Sequence, residues 1–210
     1  MGNTNKLVWF IFAFLAIGVS LYPLLYLYFA FQEGEAGIRL SKNQVLIKSV
    51  FWNIGFYGHI IFGGVALMTG WSQFSKRIRQ RRLLLHRALG KIYVASVLIS
   101  GCCAIGIGFF ATGGWISALG FISLGVIWLY TTWSAYSAIR KKDISLHQGM
   151  MIYSYAACFA AVTLRIWLPL LQFGFGDFLV AYKLVAWLCW LPNIIFARFL
   201  VRKKRLPLID

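Results

Sequence analysis

Long apolar runs dominate the chain, and polar residues are concentrated in the short stretches between them. A helix needs roughly 17–25 apolar residues to cross the hydrocarbon core of a bilayer, and six runs reach that length. Backbone groups in hydrocarbon must pair within their own segment, which favours helices. The pattern predicts an all-α polytopic membrane protein, a single antiparallel six-helix bundle of residues 1–210. Spans 1 to 6 are expected at Lys6–Phe29, Lys48–Gly70, His86–Ala111, Trp115–Ile139, Met150–Phe173 and Phe178–Phe199.

Composition supports this interpretation. The chain is 60% hydrophobic and 12% charged, whereas soluble domains are nearer half apolar and a quarter charged. A water-soluble enzyme and a disordered chain are therefore excluded as leading interpretations. The first run is also longer than the ~7–15 apolar residues of a signal peptide. The four cysteines all fall inside spans without a CxxC motif, which favours structural roles.

The basic residues predict an orientation. Sixteen of the 21 Lys and Arg residues lie at one end of the bundle, at Lys6 and within residues 76–91, 140–142 and 198–205. We call this end the basic face and the other end the opposite face. By the positive-inside rule the basic face and both termini are cytoplasmic, and we expect a multi-pass protein of the bacterial inner membrane. Contact with anionic lipid headgroups explains the charge, and no nucleic-acid partner is expected.

Ionisable residues inside a span are costly and mark candidate sites. Arg165 in span 5 has no acidic residue nearer in sequence than Asp177. Because a buried unpaired cation is unfavourable, we expect it to meet an anion such as a haem propionate, a lipid phosphate or a substrate carboxylate. Lys183 lies near the end of span 6, where snorkelling to the interface explains it.

The spacing around His59 allows two interpretations. Gly55, His59 and Gly63 are four residues apart and share one face of span 2. The glycines leave room either for a flat ligand or for close approach of another helix. Together with Asn53 and Arg165, His59 suggests a polar region toward the opposite face. A transporter or binder of a small anionic molecule or lipid would use such a site.

The other two histidines begin spans 3 and 5. His86 and His147 lie at similar depth on the basic face, and two imidazoles on facing helices suit the axial positions of a haem b iron. The alternative is a pair of interfacial histidines without a cofactor. Electrons would come from a quinol or a cytoplasmic donor, which makes a membrane oxidoreductase one expectation. The candidate propionate partners are Arg87, Lys91 and Gln148.

A copper site is a further alternative. His147 followed by Met150 and Met151 combines an imidazole with soft thioethers, a ligand set that suits copper. Adjacent methionines at the start of an apolar helix are more often packing residues. Hydrolase or transferase chemistry is the weakest interpretation, because no side chain stands out as a nucleophile.

Four segments resemble a known family. They are GWSQF (70–74), LHRALGKIYV (85–94), HQGMMIYSYA (147–156) and LRIWLP (164–169). The pattern HRxLGxxY, a His–Met–Tyr segment and an intramembrane Arg is similar to a bacterial family of membrane proteins of unknown function. The resemblance covers spans 2 to 5 and implies six helices without an assigned activity.

A more distant likeness is to cytochrome b561-type proteins, which are six-helix bundles holding haems between helices 2 and 4 and between helices 3 and 5. His86 on span 3 and His147 on span 5 would match the second haem. His59 on span 2 has no counterpart, because span 4 contains no histidine. The likeness therefore implies at most one bis-histidine haem, unless a Met, a Cys or an open coordination site completes a second haem or metal site at His59.

Overall fold

The structure, a computed structural model, describes residues 3–32 and 37–203, with side chains described from residue 7 onward. These residues form helices and no strand. Six segments are long and apolar enough to cross a membrane, which confirms the predicted all-helical membrane fold. They are Leu7–Phe31, Val50–Phe74, Leu83–Gly108, Trp115–Arg140, Ile144–Phe175 and Phe178–Lys203.

Spans 3 and 4 are single helices, Leu83–Gly108 and Trp115–Arg140, and span 2 is the helix Val50–Gly70 followed by the 3-10 turn Trp71–Phe74. Spans 1, 5 and 6 each consist of two helices. These are Asn3–Ser20 and Tyr22–Phe31, Ile144–Cys158 and Ala160–Phe175, and Phe178–Leu188 and Leu191–Lys203. The connections carry the 3-10 turn Gly37–Ser41 and the short helices Gln44–Lys48 and Lys76–Arg81.

Acidic side chains set the starts of spans 5 and 6. The carboxylate of Asp143 accepts a hydrogen bond from the backbone N–H of Leu146 at 2.9 Å, and Asp177 caps span 6 in the same way at 3.0 Å. Span 5 therefore begins at Ile144, before the expected Met150. His147 consequently lies in the first turns of a formed helix.

Spans 2 and 3 pack closely along a row of glycines. A Cβ atom at Gly55 would lie 2.7 Å from the Ile107 side chain, and one at Gly63 would lie 3.2 Å from the Ser100 hydroxyl. Gly58 makes the same kind of approach to Cys103. Close helix packing, one of the two interpretations of this spacing, thus describes the glycines.

Two of the three mid-span interruptions follow from proline. Span 1 is interrupted at Leu21, before Pro23, and span 6 at Cys189–Trp190, before Pro192. Proline has no N–H for the carbonyl four residues earlier and its ring crowds that carbonyl. Span 5 is interrupted at Phe159, whereas Pro169 lies within the continuous helix Ala160–Phe175.

A buried aromatic and hydroxyl cluster fills the half of the bundle nearer the basic face. The Tyr93 hydroxyl lies 2.7 Å from the Ser154 hydroxyl, which lies 2.6 Å from that of Thr132. The indole of Trp128 donates to Tyr93 at 3.5 Å, and Tyr155 donates to a carbonyl of span 2. All five side chains are buried. We call these residues the tyrosine layer, and they join spans 3, 4 and 5.

Candidate functional site

A cavity of about 680 Å³ lies inside the bundle, and residues of all six spans line it. It extends from Trp128 in the tyrosine layer to Gly37 and Lys42 in the connection between spans 1 and 2. Its volume lies within the ~300–1,000 Å³ typical of small-molecule pockets. Most of the lining is aliphatic, aromatic or glycine, and the polar groups are few.

The helix interruptions meet at this cavity. Tyr22 and Pro23 beside the first interruption, Cys158 and Ala160 beside the second, and Cys189 at the third all line it. Irregular backbone at membrane depth is tolerated where it is buried in protein or faces a cavity rather than lipid. The broken spans therefore form one wall of the site.

One edge of the Arg165 guanidinium has no hydrogen-bond partner among the described residues. Its Nη1 donates to the carbonyl of Ala161 at 2.7 Å, and its guanidinium lies 4.1 Å above the ring of Tyr22. Its Nε is buried without a partner, and no described residue accepts from Nη2. The Nε and Nη2 atoms form the side of the guanidinium that binds carboxylate or phosphate in a bidentate manner.

His59 faces span 3 and also lines the cavity. Its Nδ1 lies 3.0 Å from the hydroxyl of Ser100 and 3.2 Å from the Ser100 carbonyl. The Ser100 hydroxyl donates to the backbone carbonyl of His59 at 2.8 Å, so its oxygen acts as an acceptor toward the imidazole. Nδ1 therefore carries a proton, and Nε2 has no partner among the described residues.

Arg165 and Lys42 give the cavity a positive character. The guanidinium is close enough to His59 to interact with it electrostatically. No carboxylate occurs among the described residues that line the cavity. An anion in the cavity would be attracted by both cations.

Lys42 joins two connections at the opposite face. Its ammonium group donates to the carbonyl of Phe110 and, at 2.9 Å, to the hydroxyl of Thr112. Partial burial lowers the pKa of Lys42 to about 8, because the charged form loses hydration. Lys42 is thus a cation that titrates near physiological pH at one end of the cavity.

Asn53, which the sequence associated with this site, and Lys183 both lie apart from it. The Asn53 amide accepts from Arg39 at 2.6 Å and donates to the carbonyl of Ser49 at 2.9 Å, where it fastens the start of span 2. Lys183 packs its aliphatic part near Gly113. Neither side chain lines the cavity.

The structure brings His86 and His147 near each other, close enough to interact electrostatically. His147 Nδ1 donates to the carbonyl of Ala135 at 2.9 Å, while His86 Nδ1 is buried without a partner. Neither histidine lines the cavity.

The side chains around the histidine pair divide by exposure. Arg87, Lys91 and Gln148 are exposed, whereas Met150 is buried. Met151 is half-buried and packs against the main hydrophobic core. Within residues 3–32 and 37–203, no group of three or more His, Cys, Asp or Glu side chains is arranged to hold a metal ion.

Sequence reasoning missed the contributions of Tyr22 and Lys42 to the site. Lys42 follows the run GIRLS in a connecting segment, and nothing in its neighbours indicates that it reaches the loop after span 3. Tyr22 is one of ten tyrosines in the chain, and only the folded bundle places its ring beneath Arg165. The helix interruption beside Tyr22, which Pro23 predicts, was the one sequence signal that could have pointed to this residue.

Comparison with known proteins identifies a family for this chain. No curated protein and no solved structure shows significant similarity to it. A family model described as "Predicted membrane protein (DUF2306)" matches residues 56–201, which contain the whole cavity wall contributed by spans 3, 4 and 5. The chain therefore belongs to the DUF2306 family of membrane proteins.

Proposed function

We propose that this membrane protein binds a single-chain anionic amphiphile inside its bundle, with the oxyanion headgroup on Arg165. The observation that carries the proposal is the unpaired Nε–Nη2 edge of a guanidinium that lines a largely apolar cavity. An unsatisfied buried donor costs ~1–3 kcal/mol. A carboxylate or phosphate oxygen on Nη2 would pair this edge in part, and pairing of the enclosed Nε as well requires a shift of the surrounding side chains.

The geometry supports an anion rather than a neutral or cationic ligand. Nη1 is already bonded to Ala161, and the Tyr22 ring covers one face of the guanidinium. These contacts fix the direction of the free edge. The ammonium group of Lys42 adds a further polar contact to the headgroup.

The rest of the cavity suits an acyl chain. Its lining includes Phe56, Leu67, Phe121, Leu124 and Leu164, which offer apolar surface that water solvates poorly. A site of this kind follows the general pattern of an apolar pocket with a few convergent polar groups. The positive-inside rule predicts that the opposite face, where the cavity reaches Lys42, lies outside the cytoplasm.

The test compares ligands that share one acyl chain. Purified protein in detergent is titrated with oleate, 1-oleoyl-lysophosphatidate and neutral monooleoylglycerol, and binding is measured by calorimetry. The two anions are expected to bind at least ~10-fold more tightly than the neutral lipid, which corresponds to ~1.4 kcal/mol. Equal affinity for all three ligands would refute the role of the headgroup.

Matched variants separate Arg165 from general charge effects. Arg165→Gln removes the guanidinium and is expected to reduce the preference for anions to what Lys42 alone provides. Lys183→Gln removes a cation from the same half of the bundle but outside the cavity, so it is expected to bind like the wild type. If Arg165→Gln retains the full anion preference of the wild type, the site lies elsewhere.

Haem binding by His86 and His147 is the second candidate. The bond from His147 Nδ1 to Ala135 leaves Nε2 available, and such a carbonyl contact commonly orients a metal-ligating histidine. A haem bound there would exchange single electrons. The cavity does not reach these histidines, which is why this candidate ranks below the amphiphile.

Absorption spectroscopy tests the second candidate. Protein from haem-replete cells is expected to show a Soret band that shifts with dithionite, and His86→Ala and His147→Ala should each remove it. The control His59→Ala should retain the band. A colourless preparation that also fails to bind added haem would exclude this candidate without affecting the cavity proposal.

A further inference from the structure

We infer that the protein moves its amphiphile across the membrane, and that a hairpin carrying Arg165 is the moving element. This inference rests on the proposed binding function and adds an activity to it. The hairpin consists of the helices Ala160–Phe175 and Phe178–Leu188, joined at Gly176. We call it the Arg165 hairpin.

The cavity is one half of a path through the bundle. At the opposite face it reaches exposed residues, including Gly37 and Pro169. Toward the basic face its lining includes Leu67 and Trp128, which contact or belong to the buried tyrosine layer. A ligand in this state has access from the opposite face, and passage toward the basic face requires that layer to part.

The Arg165 hairpin is bounded by helix interruptions on both sides. Phe159 precedes it and Cys189–Trp190 follows it. A few residues at the ends of elements commonly absorb the backbone changes of a hinge motion. The hairpin packs against spans 1 and 4, while spans 2 and 3 pack closely on each other along the glycine row.

Two side chains fasten the interruptions to each other. Thr163 donates to the carbonyl of Cys189. The Asn193 amide lies 3.0 Å from that same carbonyl, 3.1 Å from the Thr163 hydroxyl and 3.3 Å from the carbonyl of Ala156. This hydrogen-bonded latch holds the hairpin in the observed position.

The placement of the polar groups links hairpin motion to ligand movement. Arg165 belongs to the hairpin, whereas His59 belongs to span 2. Displacement of the hairpin would shift the bound oxyanion relative to His59 and change the contacts of spans 4 and 5 that form the tyrosine layer. Transporters commonly place their sites at such discontinuous helices near the bilayer midplane.

The experiment uses the full chain in liposomes and an acyl-labelled fluorescent lysophosphatidate. The fraction of probe in the outer leaflet is followed by dithionite bleaching. The wild type is expected to accelerate the exchange of probe between leaflets relative to protein-free liposomes. Thr163→Val and Asn193→Leu break the latch and should change the rate by roughly 5- to 30-fold, the effect of one or two kcal/mol on an equilibrium.

Two variants control for the loss of a hydroxyl. Thr163→Ser keeps the donor and should retain the wild-type rate. Thr69→Val removes a hydroxyl that bonds only within its own helix, at 2.8 Å to Val65, and should also leave the rate unchanged. Equal effects of Thr69→Val and Thr163→Val would refute the latch.

Binding is measured on the same preparations, so the two proposals fail in different ways. Arg165-dependent binding with exchange no faster than in protein-free liposomes would overturn translocation and leave the binding function intact. Loss of any binding of lysophosphatidate by the wild type would overturn the binding function, and translocation with it.

Discussion

The titration of Lys42 gives a prediction whose size follows from the structure. The ammonium group lines the cavity and has a pKa of about 8, below its ordinary 10.5, because it is partly buried. An anion held nearby is attracted only to the charged form. Affinity for a fixed-charge alkyl sulfonate is therefore expected to fall as the pH rises through about 8.

The magnitude depends on the charged fraction of Lys42. This fraction falls from about 0.9 at pH 7 to about 0.1 at pH 9, and the apparent Kd rises in inverse proportion to the binding-competent fraction. The expected loss is therefore at most about tenfold. The sulfonate keeps its charge over this range, so the change belongs to the protein.

The free energy of unfolding depends on pH in the opposite direction. The unfolded chain holds the Lys42 proton up to about pH 10.5, whereas the folded protein releases it near pH 8. Between these values the unfolded state binds more protons, so the contribution of Lys42 to stability increases with pH. The deprotonation of Lys42 does not destabilise the folded protein, so it cannot weaken binding above pH 8 by causing unfolding.

Two substitutions isolate the effect in titrations at pH 7, 8 and 9. Lys42→Arg keeps a charge throughout this range and should give tight, pH-independent binding. Lys42→Met should give weak, pH-independent binding. If the wild-type affinity is constant from pH 7 to 9, or if Lys42→Met has the same pH profile as the wild type, Lys42 does not contact the ligand.

Further predictions concern packing, the tyrosine layer and orientation. Gly70→Ala places a methyl group 2.4 Å from a buried tyrosine ring and should destabilise the fold by about 1–3 kcal/mol. The control Gly106→Ala meets no atom within 4 Å, so it should be neutral or stabilise the fold by up to ~1 kcal/mol. The free energy of unfolding in detergent is measured for both variants. Ser154→Ala leaves two buried hydroxyls with fewer partners and should lower the free energy of unfolding by about 1–3 kcal/mol, while exposed Ser145→Ala should not. A cysteine introduced at Ser145 on the basic face should react with an impermeant maleimide from the cytoplasmic side, and exclusive reaction from outside would reverse the assigned orientation.

The number of spans and their order were predictable from the sequence, because apolar length alone determines them. The start of span 5 was misplaced, since the apolar run begins at Met150 but the Asp143 cap starts the helix earlier. Pro23 and Pro192 indicated two of the interruptions. Pro169, chemically equivalent to them, produced none.

The interruption at Phe159 could not be predicted from its own neighbours. The carbonyl of Ala156, which would ordinarily accept from the N–H of Ala160, lies 3.3 Å from the Asn193 amide. A side chain that competes for a helix carbonyl in this way is a recognised cause of kinks. The competing residue is 37 positions away, beyond the reach of local pattern analysis.

The sequence identified part of the candidate site. Arg165 and His59 were selected because ionisable groups in a span are costly, and both line the cavity. Asn53 was grouped with them by depth alone, but its amide bonds to Arg39 and to span 2 backbone. Depth along the membrane follows from the sequence, whereas the direction of a side chain around its helix depends on tertiary packing.

Photoaffinity labelling tests the central claim most directly. A fatty acid with a diazirine on its chain is irradiated with the protein in a bilayer, and the adducts are mapped by mass spectrometry. The account predicts adducts on cavity residues such as Leu124, Trp128 and Leu164, removed by excess oleate and by Arg165→Gln. Adducts confined to exposed residues such as Phe51 and Phe173, and insensitive to oleate, would contradict it.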